Sequence, residues 1–132
     1  MKIHEYQAKE IFTRYGVQVP AGKIAKSPQE ARRATQDLGG RAVLKAQVHA
    51  GGRGLAGGVK LVASPDEAEQ AAGSILGSNL ITPQTGPLGV PVHEVLVEEM
   101  AEIRREAYLA IAVDGAHRGP VVLFSPKGGM DI

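Results

Sequence analysis

The stretch KAQVHAGGRGLAGGVK, residues 45–60, decides the fold, because it places five glycines in a loop between two apolar segments. Glycines allow positive φ angles, so neighbouring backbone N–H groups in such a loop can turn toward one anion. Lys45, Arg53 and Lys60 can add positive charge around that anion. The loop therefore indicates a phosphate site. Glycine-rich hairpins also occur as plain flexible turns, however, and the loop alone leaves both interpretations open.

The residues that follow the glycines show which kind of nucleotide-binding loop their spacing indicates. Gly52, Gly54 and Gly57 match the pattern G-x-G-x-x-G, which in a Rossmann dinucleotide site lies after a strand and opens a helix. Residues 59–62, VKLV, instead alternate and include β-branched side chains, so they favour a strand. The absence of a Gly-Lys-Ser/Thr sequence after the glycines argues against a Walker loop. The pattern therefore predicts a loop between two strands, typical of a flexible flap that closes over nucleotide phosphates above a strand lysine.

The composition excludes several classes of protein. Lys and Arg number 15 and Asp and Glu number 14 in 132 residues, so the net charge of +1 gives no basic footprint for nucleic acid. Cysteine is absent, which excludes disulfides and thiolate metal sites. The first residues lack the apolar run of a signal peptide, and no apolar stretch approaches the roughly 18 to 20 residues that span a bilayer. We therefore expect a cytoplasmic protein that binds neither nucleic acid nor membranes.

The predicted elements around the loop give an α+β module. An apolar stripe formed by Ala8, Ile11, Phe12 and Tyr15 predicts a helix over 4–15 that ends at Gly16. Two further helices are predicted to begin at capping boxes of the form Ser-Pro-x-Glu. These boxes lie at residues 27–30 and 64–67. Strands are predicted at 41–47, 58–63, 94–98, 106–114 and 120–125, and residues 82–91 are expected to form an exposed connection.

Two acidic residues are candidates for binding hydroxyl groups. Glu98 and Glu106 lie at the end and the start of predicted strands, and a carboxylate can accept hydrogen bonds from both hydroxyls of a ribose. Solvated surface glutamates are the more common alternative. The four histidines have no metal-ligand spacing and no nucleophile stands beside a base, so the sequence predicts no catalytic residue and no metal site in this chain. His49 opens the loop, where it could contact phosphate or orient the flap.

Several separated motifs resemble one family. The segments are IHEYQAKEIFTRYGVQVP at 3–20, VLKAQVHAGGRG at 43–54, QTG at 84–86, LVEE at 96–99 and KGGMDI at 127–132. Together they resemble the amino-terminal part of the succinyl-CoA synthetase (succinate-CoA ligase) β subunit, an ATP-grasp protein, over essentially all 132 residues. Malate-CoA ligase β subunits share the same opening and loop, and ATP-citrate lyase is similar at greater distance.

The resemblance implies a fold and a reaction. Residues 1–132 would form an ATP-grasp domain, with the amino-terminal subdomain, part of the second, and a mixed sheet flanked by helices. In this family ATP or GTP binds with Mg²⁺, a histidine of the partner α subunit is phosphorylated, and an acyl phosphate of succinate then yields to coenzyme A in the citric acid cycle. The Mg²⁺ ligands and the carboxy-terminal ligase domain would lie beyond residue 132, so we expect weak nucleotide binding and no turnover by these residues alone. A folded interaction module without catalysis is the alternative from another class.

Motif position also implies roles for individual residues. Lys45 would contact the α and β phosphates, and the loop residues Gly52, Arg53 and Gly54 would cover them. Glu98 and the backbone of Ala101 would lie beside the adenine, and Glu106 would take the ribose hydroxyls. The family loop commonly reads GGRGKAGG, but Leu55 occupies the lysine position here. This leaves one fewer cation near the phosphates, so we expect a different affinity or nucleotide preference.

Overall fold

The computed structural model describes residues 2–129, and the chain divides into two compact units, 1–101 and 102–132. The helices are α1 (Glu5–Arg14), α2 (Pro28–Asp37) and α3 (Pro65–Ile75). The strands are β1 (Gly22–Ala25), β2 (Ala42–Ala46), β3 (Val59–Val62), β4 (Asn79–Leu80), β5 (Val90–Pro91), β6 (Val95–Glu98), β7 (Tyr108–Asp114) and β8 (Gly119–Ser125). All three predicted helices are confirmed, and so is the glycine loop between two strands.

The first unit is built on a four-stranded sheet with the order β1-β6-β2-β3. Strand β6 runs antiparallel to both β1 and β2, and β3 runs antiparallel to β2. We expected a mixed sheet, but every strand pairing within residues 2–129 is antiparallel. The glycine loop explains part of the difference, because it joins β2 to its neighbour β3 without a crossover helix.

Helices α2 and α3 begin as predicted. The Ser27 hydroxyl accepts a hydrogen bond from the backbone N–H of Glu30, and Ser64 caps Glu67 in the same way, both at 3.2 Å. The reciprocal bonds go to the backbone N–H of the residue that precedes each serine, so both ends of the box are used. The two helices pack their small side chains against one face of the sheet, and this layer is the core of the first unit. Its fully buried members include Ala31, Ala68 and Ala72 from the helices and Ala42, Leu44 and Ala46 from β2.

The other face of this sheet is partly charged. Along β2, burial alternates, so Lys45 points away from the core face that Leu44 occupies. The strand register places Lys45 opposite Leu96, while Leu44 is paired with Lys60. Lys60 therefore lies on the other side of the sheet from Lys45, and the prediction that it adds charge around the same anion is wrong.

Helix α1 has no buried residue. The helix ends where predicted, because Gly16 adopts a φ of +76°. Its apolar stripe is exposed, however, at Ile11, Phe12 and Tyr15. The helix is attached to the sheet through polar groups instead. The backbone N–H of Tyr6 donates to the side-chain oxygen of Gln47 at 3.2 Å.

Residues 82–91 are more than an exposed connection. Their last two residues form strand β5, which pairs with β4, and the sequence predicted neither of these short strands. Thr82 is buried, and its backbone N–H donates to the Thr85 hydroxyl at 2.8 Å. The side chain of Gln84 reaches the glycine loop. The QTG motif at residues 84–86 therefore helps to hold the glycine loop in place.

The second unit consists of the hairpin β7–β8, paired from Tyr108 with Ser125 to Asp114 with Gly119. The two strands predicted for this segment are confirmed, although β7 begins at Tyr108 rather than at Glu106. The last residues of the KGGMDI motif, 130–132, lie outside the described residues. Among the residues that the structure describes, no helix combines the length and the apolar character needed to cross a bilayer.

Candidate functional site

Five charged side chains converge on the face of the sheet that α1 covers. We call them the charged cluster, and its members are Glu5, Lys9, Lys45, Arg53 and Glu98. Lys45 Nζ lies 2.5 Å from Glu98 Oε1 and 3.2 Å from Glu5 Oε1. Lys9 Nζ pairs with both carboxylates as well, at 3.0 Å from Glu5 Oε1. Three cations meet two carboxylates, so one positive charge is in excess.

Arg53 joins the glycine loop to this cluster. One guanidinium nitrogen lies 2.6 Å from Glu5 Oε2, and another donates to the backbone carbonyl of Ala46 at 2.7 Å. The side chain therefore folds back from the loop over the end of β2 and reaches α1. Loop, strand and helix are held together at one place by charge-assisted hydrogen bonds.

The cluster changes the ionisation of its members. Burial by itself would raise the pKa of the Glu5 carboxyl, but the hydrogen bond from Arg53 and the nearby charge of Lys45 outweigh it and lower the pKa to about 2. Burial would likewise lower the pKa of Lys45, but its hydrogen bond with Glu98 and the charge of Glu5 raise that pKa above its usual value. Both groups are therefore fully charged at neutral pH.

The glycine loop is fixed at both ends by close contacts. The backbone N–H of Gly51 donates to Gln84 Oε1 at 2.8 Å, and a Cβ added at Gly51 would stand 2.9 Å from the same side chain. A Cβ at Gly58 would lie 2.8 Å from the Leu80 side chain. Gly52 adopts a φ of +73°, which only glycine takes without strain. The backbone of the loop thus requires glycine at Gly52, while Gly51 and Gly58 leave room for the side chains of Gln84 and Leu80.

The middle of the loop offers free donors. Among the described residues, the backbone N–H groups of Gly52, Arg53 and Gly54 donate to no protein acceptor, whereas their carbonyls accept bonds from residues 56–58. An unpaired run of N–H groups beside excess positive charge is the arrangement that binds an anion.

His49 connects the start of the loop to the start of α1. Its ring stacks on that of His4, with 4.1 Å between the centroids and 10° between the planes. Burial lowers the pKa of His4, and the charge of His49 lowers it further, so His4 favours its neutral form. The sequence left two roles open for His49, contact with phosphate or orientation of the flap. The stack supports orientation.

A cavity of about 260 Å³ adjoins the charged cluster between α1 and strands β1 and β6. Lys9 and Glu98 belong both to its lining and to the cluster. Its apolar walls are aliphatic and come from Val19, Pro20, Ile24 and Leu96. Predominantly apolar walls with a few polar groups are typical of small-molecule sites.

The structure brings together some of the predicted site residues but not all of them. Lys45, Glu98 and the loop residues 52–54 meet in the first unit, and Glu98 is only 4% exposed rather than a solvated surface acid. Ala101 is exposed at the end of that unit, and Glu106 is exposed in the second unit.

Sequence reasoning missed Glu5 and Lys9. Their spacing of four residues on one helix, acid before base, was the available signal. Nothing local in the sequence, however, reveals which part of the sheet α1 covers.

The fit of the cluster to a metal ion depends on its donors. In the range 2–129 no group of three or more His, Asp or Glu side chains is placed to hold a metal. Both cluster carboxylates are already paired with cations, so these residues do not fit Mg²⁺.

Comparison with known proteins identifies the family. The sequence matches the ATP-grasp domain over residues 2–132. The β subunit of succinate–CoA ligase [ADP-forming] from Geobacter sulfurreducens is 51% identical over 132 residues, and that from Nitratiruptor sp. is 55% identical over 133 residues. Each alignment covers 100% of this chain and 34% of the relative, so the chain spans about a third of the length of these curated relatives.

Solved structures show the same fold. The dinucleotide-forming acetyl-coenzyme A synthetase 1 of Ca. Korarchaeum cryptofilum, solved with coenzyme A and Ca-AMPCP, superposes with a TM-score of 0.74 and 25% identity, covering 93% of this chain and 52% of that chain. The ATP citrate lyase of Methanothrix soehngenii reaches a TM-score of 0.73 at 23% identity, covering 96% of this chain and 32% of that one, which is a likeness of fold alone. With the fold in agreement and the domain matched from residue 2 to residue 132, this chain belongs to the ATP-grasp family.

Proposed function

We propose that this chain is the nucleotide-binding part of the β subunit of an ADP-forming succinate–CoA ligase. The complete enzyme would convert succinate, coenzyme A and ATP to succinyl-CoA, ADP and phosphate through a phosphohistidine on an α subunit. Identity of 51–55% to β subunits of that name over the whole chain supports this assignment. The observation that carries it is the meeting of the Lys45 and Arg53 side chains in the charged cluster, together with central N–H groups of the glycine loop that are free within the described part of the chain.

The phosphate groups of the nucleotide are the natural ligand of this arrangement. Lys45 supplies a point charge from the sheet, and residues 52–54 supply backbone donors from the glycine loop. Within the described part of the chain, the N–H groups of residues 52–54 are unpaired before the ligand arrives, so they can bind a polyphosphate without breaking other hydrogen bonds. A closed flap would also exclude water from the phosphoryl group to be transferred.

The base has a separate place beside the phosphates. The cavity between α1 and the sheet shares Lys9 and Glu98 with the charged cluster, and its aliphatic walls suit the flat faces of a purine. Its volume of about 260 Å³ is slightly below the roughly 300 Å³ at which ligand pockets begin, so it can hold part of a nucleotide rather than all of it. The backbone of Ala101 and the carboxylate of Glu106 are proposed for the base and the ribose hydroxyls on motif position.

Chemistry at the transferred phosphoryl group requires partners beyond these residues. Mg²⁺ would neutralise charge on the phosphates, and its ligands are not among the side chains of the charged cluster. The residues of this chain bind and orient the nucleotide and exclude water, and we assign none of them a covalent role.

Malate is the second candidate for the acid substrate, because the motifs of this segment are shared by both kinds of ligase. The relatives named above are succinate enzymes, which favours succinate. A coupled assay of the complete αβ enzyme with each acid separates the two. Faster turnover with malate would replace the substrate in this proposal without affecting the nucleotide site.

The nucleotide site itself is tested by a two-dimensional amide NMR titration of this chain with Mg-ATP. We expect shifts at Lys45, at residues 52–54 and at Glu98. Lys45→Ala should weaken binding by about 1.5 to 3 kcal/mol, roughly tenfold to a hundredfold, because a charge-assisted contact is lost. Lys60→Ala is the matched control, since Lys60 lies on the neighbouring strand but on the opposite face. Equal effects of the two substitutions, or no shifts in a folded chain, would contradict the site and favour an interaction module.

A further inference from the structure

Glu5 occupies a special place in the charged cluster. Its Oε1 lies 3.2 Å from Lys45 Nζ, and its Oε2 lies 2.6 Å from a guanidinium nitrogen of Arg53. The two oxygens of one carboxylate thus bridge the strand cation and the loop cation. A phosphate group makes the same kind of bridge with two of its oxygens.

We propose that Glu5 is an internal counter-anion of the phosphate site. Its carboxylate bridges Lys45 and Arg53 in the nucleotide-free protein, and a polyphosphate binds by taking over that bridge. The proposal rests on the nucleotide site described above and adds a positioning residue to it. Binding is therefore an exchange of anions rather than the filling of a site with unpaired cations.

Charge favours the phosphate in this exchange. A carboxylate carries one negative charge, whereas a terminal phosphate carries about two at neutral pH and offers three acceptor oxygens. The cluster has only one positive charge in excess, because Glu5 and Glu98 neutralise two of its three cations. A polyphosphate gains the most if Glu5 releases Lys45 and Arg53.

Lys9 provides a partner for the displaced carboxylate. It stands one helical turn after Glu5, and its Nζ is 3.0 Å from Glu5 Oε1. Glu5 can therefore leave the two other cations without becoming an unpaired, half-buried charge, which would be costly. Its position in the first turn of α1 is also favourable for an anion.

The exchange requires only a side-chain rotation. The start of α1 is tied down by the bond from the Tyr6 N–H to Gln47 and by the stack of His4 on His49. The helix can therefore stay in place while the Glu5 carboxylate turns away from the loop toward Lys9.

The test compares anion binding by the wild-type chain with that of Glu5→Gln, which keeps the shape of the side chain and removes its charge. Amide NMR titration with inorganic tripolyphosphate avoids any contribution from the base. We expect the variant to bind on the order of tenfold more tightly, because a like charge no longer competes for the site. Glu99→Gln is the control, since Glu99 is exposed, and its side chain makes no ion pair or hydrogen bond within the described range. It should change the affinity by less than about twofold.

A residue that only stabilised α1 would not strengthen anion binding when neutralised. Affinity of Glu5→Gln equal to or weaker than that of the wild type would overturn the proposal while leaving the nucleotide site intact. Absence of binding by both proteins would overturn the site as well. The carboxyl carbon resonance of Glu5 in the wild type gives a second measurement that does not depend on folding of the variant. It should shift as tripolyphosphate is added, and an unchanged resonance at saturation would overturn the exchange.

Discussion

The two faces of the β1-β6-β2-β3 sheet do different things, although they share every strand. One face carries alanine and leucine side chains that are fully buried under α2 and α3. The other carries Lys45 and Glu98 under α1, which has no buried residue of its own. Consecutive residues of β2 alternate between these faces, so Leu44 in the core is the neighbour of Lys45 in the site. The comparison shows how a packed layer can hold a charged cluster in position without belonging to it.

The largest effect on stability should come from creating a cavity on the apolar face of the sheet. Leu44 is 0% exposed, and Leu44→Ala is expected to lower the free energy of unfolding by about 3 to 5 kcal/mol, because it leaves a cavity in the core. Leu61→Ala is the matched control, since Leu61 is 70% exposed on the adjacent strand and should cost no more than about 0.5 kcal/mol. Urea denaturation measures both. Similar losses would mean that the two faces do not differ in packing.

Acid should weaken the stabilisation that the charged face contributes to the fold. The pKa of Glu5 is about 2 in the folded chain and about 4.5 in its ordinary state, so the unfolded chain takes up the proton first as the pH falls. The stabilisation from Glu5 is therefore complete above about pH 4.5 and is lost as the pH falls toward about 2. It amounts to at most about 3 kcal/mol, since a tenfold change in proton affinity corresponds to about 1.4 kcal/mol, and solvent screening reduces it further.

Urea denaturation at a series of pH values checks this expectation against Glu5→Gln. The variant should be less stable than the wild type at neutral pH, and the difference should shrink below about pH 4.5. A constant difference across that range would mean that the charge of Glu5 is not what stabilises the fold. The same substitution is expected to strengthen anion binding, so its stability and its affinity should move in opposite directions, as is common where a binding site holds competing charges.

The sequence predicted the helices and strands of this fold better than it predicted which side chains lie on which face of the sheet. The capping boxes at Ser27 and Ser64 and the strands on either side of the glycine loop carry local signals, and the structure contains them. The face of Lys60 depends on the register between β2 and β3. That register follows from the hydrophobic pattern and the geometry of the loop together, and the loop geometry could not be read from the sequence. A shift of one residue would have placed Lys60 beside Lys45.

The charged cluster was only half predictable for a similar reason. Lys45 and Arg53 belong to a recognisable loop, but Glu5 and Lys9 join them through contacts that span 40 to 89 residues. The apolar stripe of α1 predicted the helix, but Ile11 and Phe12 on that stripe are exposed. Amphipathic spacing predicts that a helix forms, and it does not determine which of its faces meets the rest of the described chain.

The smallest effect should come from adding a cation to the glycine loop beside the charged face. Leu55 is 72% exposed at the middle of the glycine loop, where the resembling family commonly has lysine. Leu55→Lys adds a solvated cation, so we expect Mg-ATP to bind more tightly by no more than about fivefold, with the gain shrinking at high salt. Leu88→Lys adds the same charge at a residue that is 84% exposed outside the loop. If both variants gain equally, the increase reflects net charge alone, whereas a gain confined to Leu55→Lys would mean that the middle of the loop lies close to the bound phosphates.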